Sequence, residues 1–360
     1  MKDKTKNAII TFGFILIIIV IFFSNLIEKD KVISITERRK LAQFPEITIS
    51  KILNKEIMNK FDIYVEDQFV KRELFRKIKA FWSLNVLAQK DNNKLFEKDN
   101  AIYKMDYPLN ENNVCKSAQM LNKVYEKYLK NMNVYYSIVP EKNYFLENDD
   151  HLKLDYNKIQ QIVSKELPKV QYIDIRKGLK LDDYYRTDLH WKQENLREVV
   201  WTIQENMGHD KTYFDYNIKD KGDFYGVYYG QLATNVSPDK LYILTNPTIE
   251  KCIAYDMETN KKTSIYSEIN SGDKYDIFLS GAKPLIIIEN PNSQTQKELL
   301  LFRDSFGSSI APLLIENYSK ITLIDLRYMS SSILENYIEF RDQDVLFLYS
   351  TIILNQNIFK

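Results

Sequence analysis

The C-terminal stretch from Glu298 onward constrains the fold most. Glu298-Leu-Leu-Leu-Phe302 is a buried-strand pattern, Phe306–Tyr318 reads as a helix and Lys320–Leu326 as a strand. Ser331–Phe340 then reads as a helix and Asp344–Tyr349 as a strand. Short apolar strands alternating with helices build parallel βαβ units, whose crossovers are right-handed. The same order recurs upstream. Asn113–Met132 carries Met120, Leu121, Val124, Tyr128 and Leu129 on one face and runs into Val134–Val139, closed by Pro140. Residues 157–167 precede Val170–Ile175, and 192–206 have helical spacing. Between 241 and 290 the pattern changes to alternating runs, LYILT, KCIAYD, TSIYSEI and PLIIIEN, which predict hairpin strands. The expected fold is α/β: a three-layer parallel sheet with a β-hairpin insertion at 241–290.

Ahead of this domain, Ala8 to Ile27 is twenty residues without a charge. At helical rise that is about 30 Å, the thickness of a bilayer core. Lys2, Lys4 and Lys6 precede it against Asp3, which predicts a cytoplasmic N-terminus. A cleaved signal would have a core of roughly 7–15 residues and a small-x-small cleavage site. The run ends Phe22-Phe23-Ser24-Asn25-Leu26 instead. The expectation is an uncleaved single-pass anchor, with the remainder outside the cell. Residues 28–110 then read as stalk and helical neck, with Ile57, Phe61, Val65 and Phe69, then Leu74, Phe75, Ile78 and Trp82 at helical spacing. Residues 111–360 form the expected α/β domain.

Charge and cysteine counts narrow the function classes. The chain carries 50 Lys and Arg against 49 Asp and Glu, and residues 28–360 hold 47 and 48. Near-neutral balance argues against nucleic acid, which needs a basic surface to release counterions. Cys115 and Cys252 can form one bridge or none, and make no Cys₄ zinc site. With three histidines in all, no metal site and no cofactor is expected.

Ligands of open α/β sheets bind outside the carboxyl ends of the strands, and three polar clusters fall at such ends. The first is Arg303-Asp304-Ser305-Phe306-Gly307, between a strand and a helix. There a serine hydroxyl sits over a helix N-terminus whose N–H groups can hold an oxyanion. Asp304 or Ser305 reads equally as an ordinary helix cap, and the G-x-S-x-G elbow is absent. The second is Tyr184-Tyr-Arg-Thr-Asp188-Leu-His190-Trp191, where a carboxylate can hold the imidazole two residues on in one tautomer. A helix-capping aspartate beside a surface histidine is the alternative. An Asp-x-His pair alone supplies only two metal ligands. The third is Asp325-Leu-Arg327-Tyr328, where Arg327 or Tyr328 can bind an acyl carbonyl or a substrate hydroxyl. A surface arginine and a packed tyrosine would look the same.

Asp188-Leu-His190-Trp191 resembles the Asp-His-His-Trp signature of the DHHW proteins, with Leu189 in place of the first His. Arg303-Asp-Ser-Phe-Gly307 is similar to their nucleophile segment. The likeness continues through Glu37-x-Arg39-x-Leu-Ala-x-Phe-Pro45, Asp67-x-Phe-x-x-Arg72, Val139-Pro-x-Lys142, Asp223-Phe-Tyr-Gly226 and Asp325-x-Arg-Tyr328. DHHW proteins are in turn similar to the SGNH-like domains of the alginate O-acetyltransferases. The resemblance implies an SGNH-hydrolase-like, flavodoxin-like fold, with Ser305 as nucleophile, His190 as base and Asp188 orienting it. Arg303 stands where SGNH enzymes usually carry Gly, and Asp188 and His190 precede the serine, as in the alginate enzymes. Gly226, Asn235 and the Ser305 N–H are candidate oxyanion donors, with Arg303 a further candidate at the site.

The same resemblance implies an extracytoplasmic O-acetyltransferase acting through an acyl-enzyme. Its partners would be an acetylated donor, a polysaccharide acceptor and a membrane-bound O-acyltransferase that passes acetyl across. The same triad would serve an acetyl esterase acting on a surface glycan. A non-catalytic glycan-binding or scaffold protein of the envelope is the reading from another class.

Overall fold

The computed structural model describes every residue except Met1, Asn148, Asp149, Tyr213, Phe214 and Ile269–Ser271. The chain divides into two compact units, Met1–Gln89 and Lys90–Lys360. In the first, α1 (Lys2–Ile27) is long and apolar enough to cross a membrane, with a stretch of mean hydropathy 2.7 that is nowhere buried. The helical spacing farther on becomes α2 (Glu56–Gln68) and α3 (Arg72–Phe81). Two motif segments far apart in sequence meet here. The Arg39 guanidinium donates to both Asp67 carboxylate oxygens, at 2.8 and 2.5 Å, and the Ala42 N–H donates to Asp67 at 2.8 Å. Arg72 lies 2.5 Å and Arg76 3.4 Å from the Glu37 carboxylate.

The second unit is built on alternation. Along β6 (Glu298–Arg303), successive side chains leave opposite faces of the sheet. Leu299 and Leu301 join Leu346, Leu348, Ile321 and Leu323 in one core, while Leu300 and Phe302 join Val345, Phe347 and Ile324 in another. Helices cover both. The first core holds residues of α6 (Arg197–Asn206) and α7 (Phe306–Leu314), and the second holds residues of α4 (Glu111–Val124) and α5 (Tyr156–Glu166). A strand buried on both faces needs a continuous apolar run, which is what Leu299–Phe302 supplies. Each leucine fully buried there contributes roughly 1.5–3 kcal/mol.

The other strands of this sheet are β1 (Val134–Val139), β2 (Gln171–Tyr172), β3 (Ile253–Asp256), β4 (Lys261–Thr263), β5 (Leu285–Glu289), β7 (Lys320–Ile324) and β8 (Asp344–Ser350). Their spatial order is β4-β3-β5-β7-β6-β8-β1-β2. From β7 to β2 every neighbour is parallel. The three strands β5, β3 and β4 are antiparallel additions to that edge. The fold is thus α/β with a parallel-rich sheet in three layers.

Some local outcomes differ from the sequence pattern for identifiable reasons. The strand expected at Val170–Ile175 pairs only at Gln171–Tyr172, because the Asp174 side chain accepts the Arg176 N–H and starts a turn. Asp325 ends β7 likewise by accepting the Arg327 N–H at 3.0 Å. Within 241–290, β3, β4 and β5 extend the main sheet rather than standing apart from it. The LYILT run lies in Asp239–Thr245 and pairs instead with Asn217–Phe224, a charged strand without apolar alternation. Of TSIYSEI, Thr263 ends β4 and Tyr266 bridges Phe278, while Ile269 lies outside the described residues. No disulfide joins Cys115 and Cys252.

Candidate active site

Parallel strands place their carboxyl ends along one edge, and β6 delivers Arg303, Asp304 and Ser305 there. Asp304, not Ser305, performs the capping. Its Oδ1 accepts the Phe306 N–H at 3.0 Å, and its Oδ2 accepts the Ser350 N–H at 2.8 Å, tying the ends of β6 and β8 together. The Ser305 hydroxyl makes no capping bond to α7. It is half-buried among fully buried neighbours, so it is the point of this segment that solvent can reach.

α7 is buried along its whole length, and its first turn is Phe-Gly-Ser-Ser. Gly307 is there for close approach: a Cβ would lie 2.5 Å from the Cβ of Arg303. Arg303 passes underneath, wholly buried, with its guanidinium 3.6 Å from Asp325. Burial pushes its pKa down, against the pull of Asp325.

From another part of the chain, the turn 187–190 brings in the partners. The Ser305 hydroxyl lies 2.7 Å from His190 Nε2, and His190 Nδ1 lies 2.6 Å from Asp188 Oδ1. With the proton on Nδ1, the imidazole donates to Asp188 and accepts from Ser305. Asp188 is wholly buried and also accepts the His190 N–H at 3.0 Å, so one carboxylate makes the turn and faces the ring. Its Oδ2 accepts the Val227 N–H at 2.7 Å. The imidazole lies flat on Tyr275, ring centroids 3.8 Å apart and 7° from parallel, and the Phe306 ring lies 4.9 Å away, tilted by 56°. The Tyr275 hydroxyl and the Trp191 indole N–H each lie 2.8 Å from Ser309 Oγ, which links that stack to α7. Burial raises the Tyr275 pKa well above the usual phenol range, so its ring stays neutral beside the imidazole.

The turn itself is held from behind. Asp239 accepts from the N–H groups of Arg186 and Thr187, both at 2.9 Å, and from the Thr187 hydroxyl at 2.6 Å. The Gly226 N–H donates to Thr187 Oγ1 at 2.9 Å. Gly226 is therefore engaged in the scaffold of Asp188 rather than turned toward Ser305. The remaining candidates divide. Arg327 is bound to Asp325 through Nε and Nη2, at 2.9 and 2.6 Å, and lies 5.3 Å from the ring of Tyr328, which is exposed. Asn235 is exposed. None of these three is hydrogen-bonded to Ser305, His190 or Asp188 among the described residues. Val227, Thr187, Asp239 and Tyr275 are site residues that sequence reasoning missed. Tyr275 is one of 25 tyrosines, and nothing near it in sequence sets it apart.

A half-exposed hydroxyl, an imidazole and a buried carboxylate in single file can pass a proton from the hydroxyl to the ring as the oxygen attacks a carbonyl. Among the described residues no cluster of His, Cys, Asp and Glu could hold a metal ion.

Solved structures of other proteins share the fold of this chain. No curated protein matches the chain. Among solved structures, a DHHW family protein from Eubacterium siraeum DSM 15702 aligns at a TM-score of 0.61 and 21% identity, over 73% of this chain and 93% of that one. PatB1 of Bacillus cereus, solved with a sulfonyl adduct, aligns at 0.58 and 19% identity, over 72% and 95%. The O-acetyltransferase domain of Pseudomonas putida AlgJ aligns at 0.45 and 11%, over 72% and 90%. By family model, residues 149–324 match DHHW protein, so the resemblance carried by the motifs holds for the segment that contains Asp188, His190 and Ser305.

Proposed function

We propose that this protein is a serine-dependent O-acetyltransferase acting outside the cytoplasmic membrane on a surface or exported polysaccharide. The observation that carries the reading is the 2.7 Å approach of Ser305 Oγ to an imidazole held by Asp188 at 2.6 Å. Ser305 attacks the acetyl carbonyl while His190 Nε2 takes its proton. The tetrahedral intermediate collapses, the donor oxygen leaves with that proton, and acetyl-Ser305 remains. A sugar hydroxyl then attacks, His190 takes its proton, and Ser305 recovers it as the acetylated sugar departs. The acetyl group and the glycan acceptor come from the resemblance of the motifs. The sulfonyl adduct of PatB1, on the same fold, is the kind of product a nucleophilic hydroxyl gives. α1 supports a membrane anchor, and acetyl supply by a membrane-bound acyltransferase belongs to the same proposal.

The test uses the full chain in detergent with a chromogenic acetyl ester and an oligosaccharide acceptor. Wild type should add an acetyl mass to the sugar, and a sulfonyl fluoride should label Ser305. Ser305→Ala and His190→Ala should each lose nearly all activity, because such residues act as a unit. Asp188→Ala should lose less, since Tyr275 and Phe306 still hold the ring. Acetate release without sugar modification would make the protein an esterase. Equal turnover by wild type and Ser305→Ala would leave the binding or scaffold reading.

A further inference from the structure

We infer that Lys142 is a positioning residue, whose ammonium group shapes the turn that presents Asp188 to His190. The inference rests on the proposed reading for its catalytic consequence, but its geometry is independent of the reaction. Lys142 follows the carboxyl end of β1 and is 1% exposed. Its Nζ donates to three carbonyls of one turn: Tyr185 at 2.8 Å, Arg186 at 3.0 Å and Asp188 at 2.7 Å. An ammonium has three protons and no acceptor, so all three are used, and all on the segment carrying Asp188. The nitrogen also lies 5.4 Å from the ring of Tyr103 and 5.2 Å from that of Tyr228. Lys142 is thus a hub gathering carbonyls that would otherwise repel one another in a buried turn.

The charged groups around it come from several elements. Glu141 is its chain neighbour and accepts from the Tyr228 hydroxyl at 3.0 Å. Asp188 and Lys192 lie on the turn and just beyond it, and Asp239 opens the strand behind. Burial brings the Lys142 pKa down to about 8, opposed first by Glu141 and then by Asp188 and Asp239. Burial likewise pushes Glu141 up to about 7, opposed by Lys142. Loss of one Lys142 proton leaves two N–H groups for three carbonyls, so the turn should loosen as pH rises through that range while the rest of the fold stays intact.

The experiment observes His190 directly in the full chain in detergent, with [¹³C,¹⁵N]histidine. There are only three histidines, and His151→Gln and His209→Gln complete the assignment. Non-exchanging ring protons report the ring nitrogens through long-range coupling. Wild type should show a single Nδ1–H tautomer, with an inflection near pH 8. Lys142→Met should average the tautomers and remove that inflection, with the far-ultraviolet circular dichroism unchanged. Its kcat should fall about 30-fold or more at little change in KM, and Lys142→Arg should recover part of it by keeping the charge. A Lys142→Met signal and kcat matching wild type would overturn the inference. Where Lys142→Met does not fold, Lys142→Gln, which has two N–H groups for the three carbonyls, decides the matter by the same two readouts. Should wild type prove inactive on every ester while its His190 signal still depends on Lys142, the serine chemistry fails and the positioning role stands.

Discussion

Gly226 shows how tightly individual atoms are constrained around the turn. A Cβ at this position would lie 2.2 Å from the Cβ of Asp188 and 2.4 Å from the Thr187 carbonyl oxygen. The backbone angles are ordinary, so the demand is for space rather than for a left-handed conformation. Its neighbours' backbone groups explain the closeness: the Gly226 N–H reaches Thr187 and the Val227 N–H reaches Asp188. Gly226→Ala should therefore push Asp188 off the imidazole. We expect roughly 1–3 kcal/mol of lost stability from overpacking, seen in thermal unfolding, and a fall in acetyl-ester turnover far larger than that melting shift would suggest. An alanine variant with wild-type turnover would show that Asp188 tolerates displacement.

At the scale of elements, the ion cluster of the first unit joins the segment before α2 to the ends of α2 and α3. Arg39 bonded to Asp67 holds that carboxyl below the usual range, against the cost of its burial. Glu37 is also held low, because Arg72 and Arg76 outweigh the burial that would raise it. Both folded values lie below the unfolded ones, so the stabilisation is present above roughly pH 4 and is lost as pH falls through the folded values. Asp67→Asn should cost roughly 1–3 kcal/mol, less than a fully buried pair because Arg39 is partly exposed. The hydrogen-exchange protection of the α2 and α3 amides, taken relative to the intrinsic exchange rate at each pH, should fall in wild type between pH 6 and pH 3. In the variant it should already be lower at pH 6. Equal protection in both proteins at pH 6 would mean that apolar packing alone holds these helices.

For the whole molecule, α1 and the lysines before it predict a single span with everything from about residue 28 outside the cell. Protease added to intact cells stripped of their wall should then digest residues 90–360 while cytoplasmic controls survive. Complete protection would place that unit in the cytoplasm and remove the surface glycan as substrate. Near-neutral charge outside the span adds that association with the membrane should depend on α1, and should survive high salt.

The sequence by itself determined the α/β class, the apolar span and the residue types at the strand ends. Continuous apolar runs such as Leu299–Phe302 and uncharged stretches such as Ala8–Ile27 declare their burial or their membrane length locally. It could not decide between a cap and a nucleophile at 304–305, because both roles use a side-chain oxygen at a helix start. The fold adds the contacts on which the proposal rests: Ser350 from β8 occupies Asp304, and His190, 115 residues before Ser305, meets the hydroxyl. The scaffold behind Asp188 was equally out of reach. Asp239, Tyr275 and the Val227 N–H act through long-range hydrogen bonds and ring stacking, which leave no periodicity along the chain. Local patterns record which surfaces must be buried; which groups meet across the strand ends depends on how the sheet orders its strands, and only tertiary packing sets that.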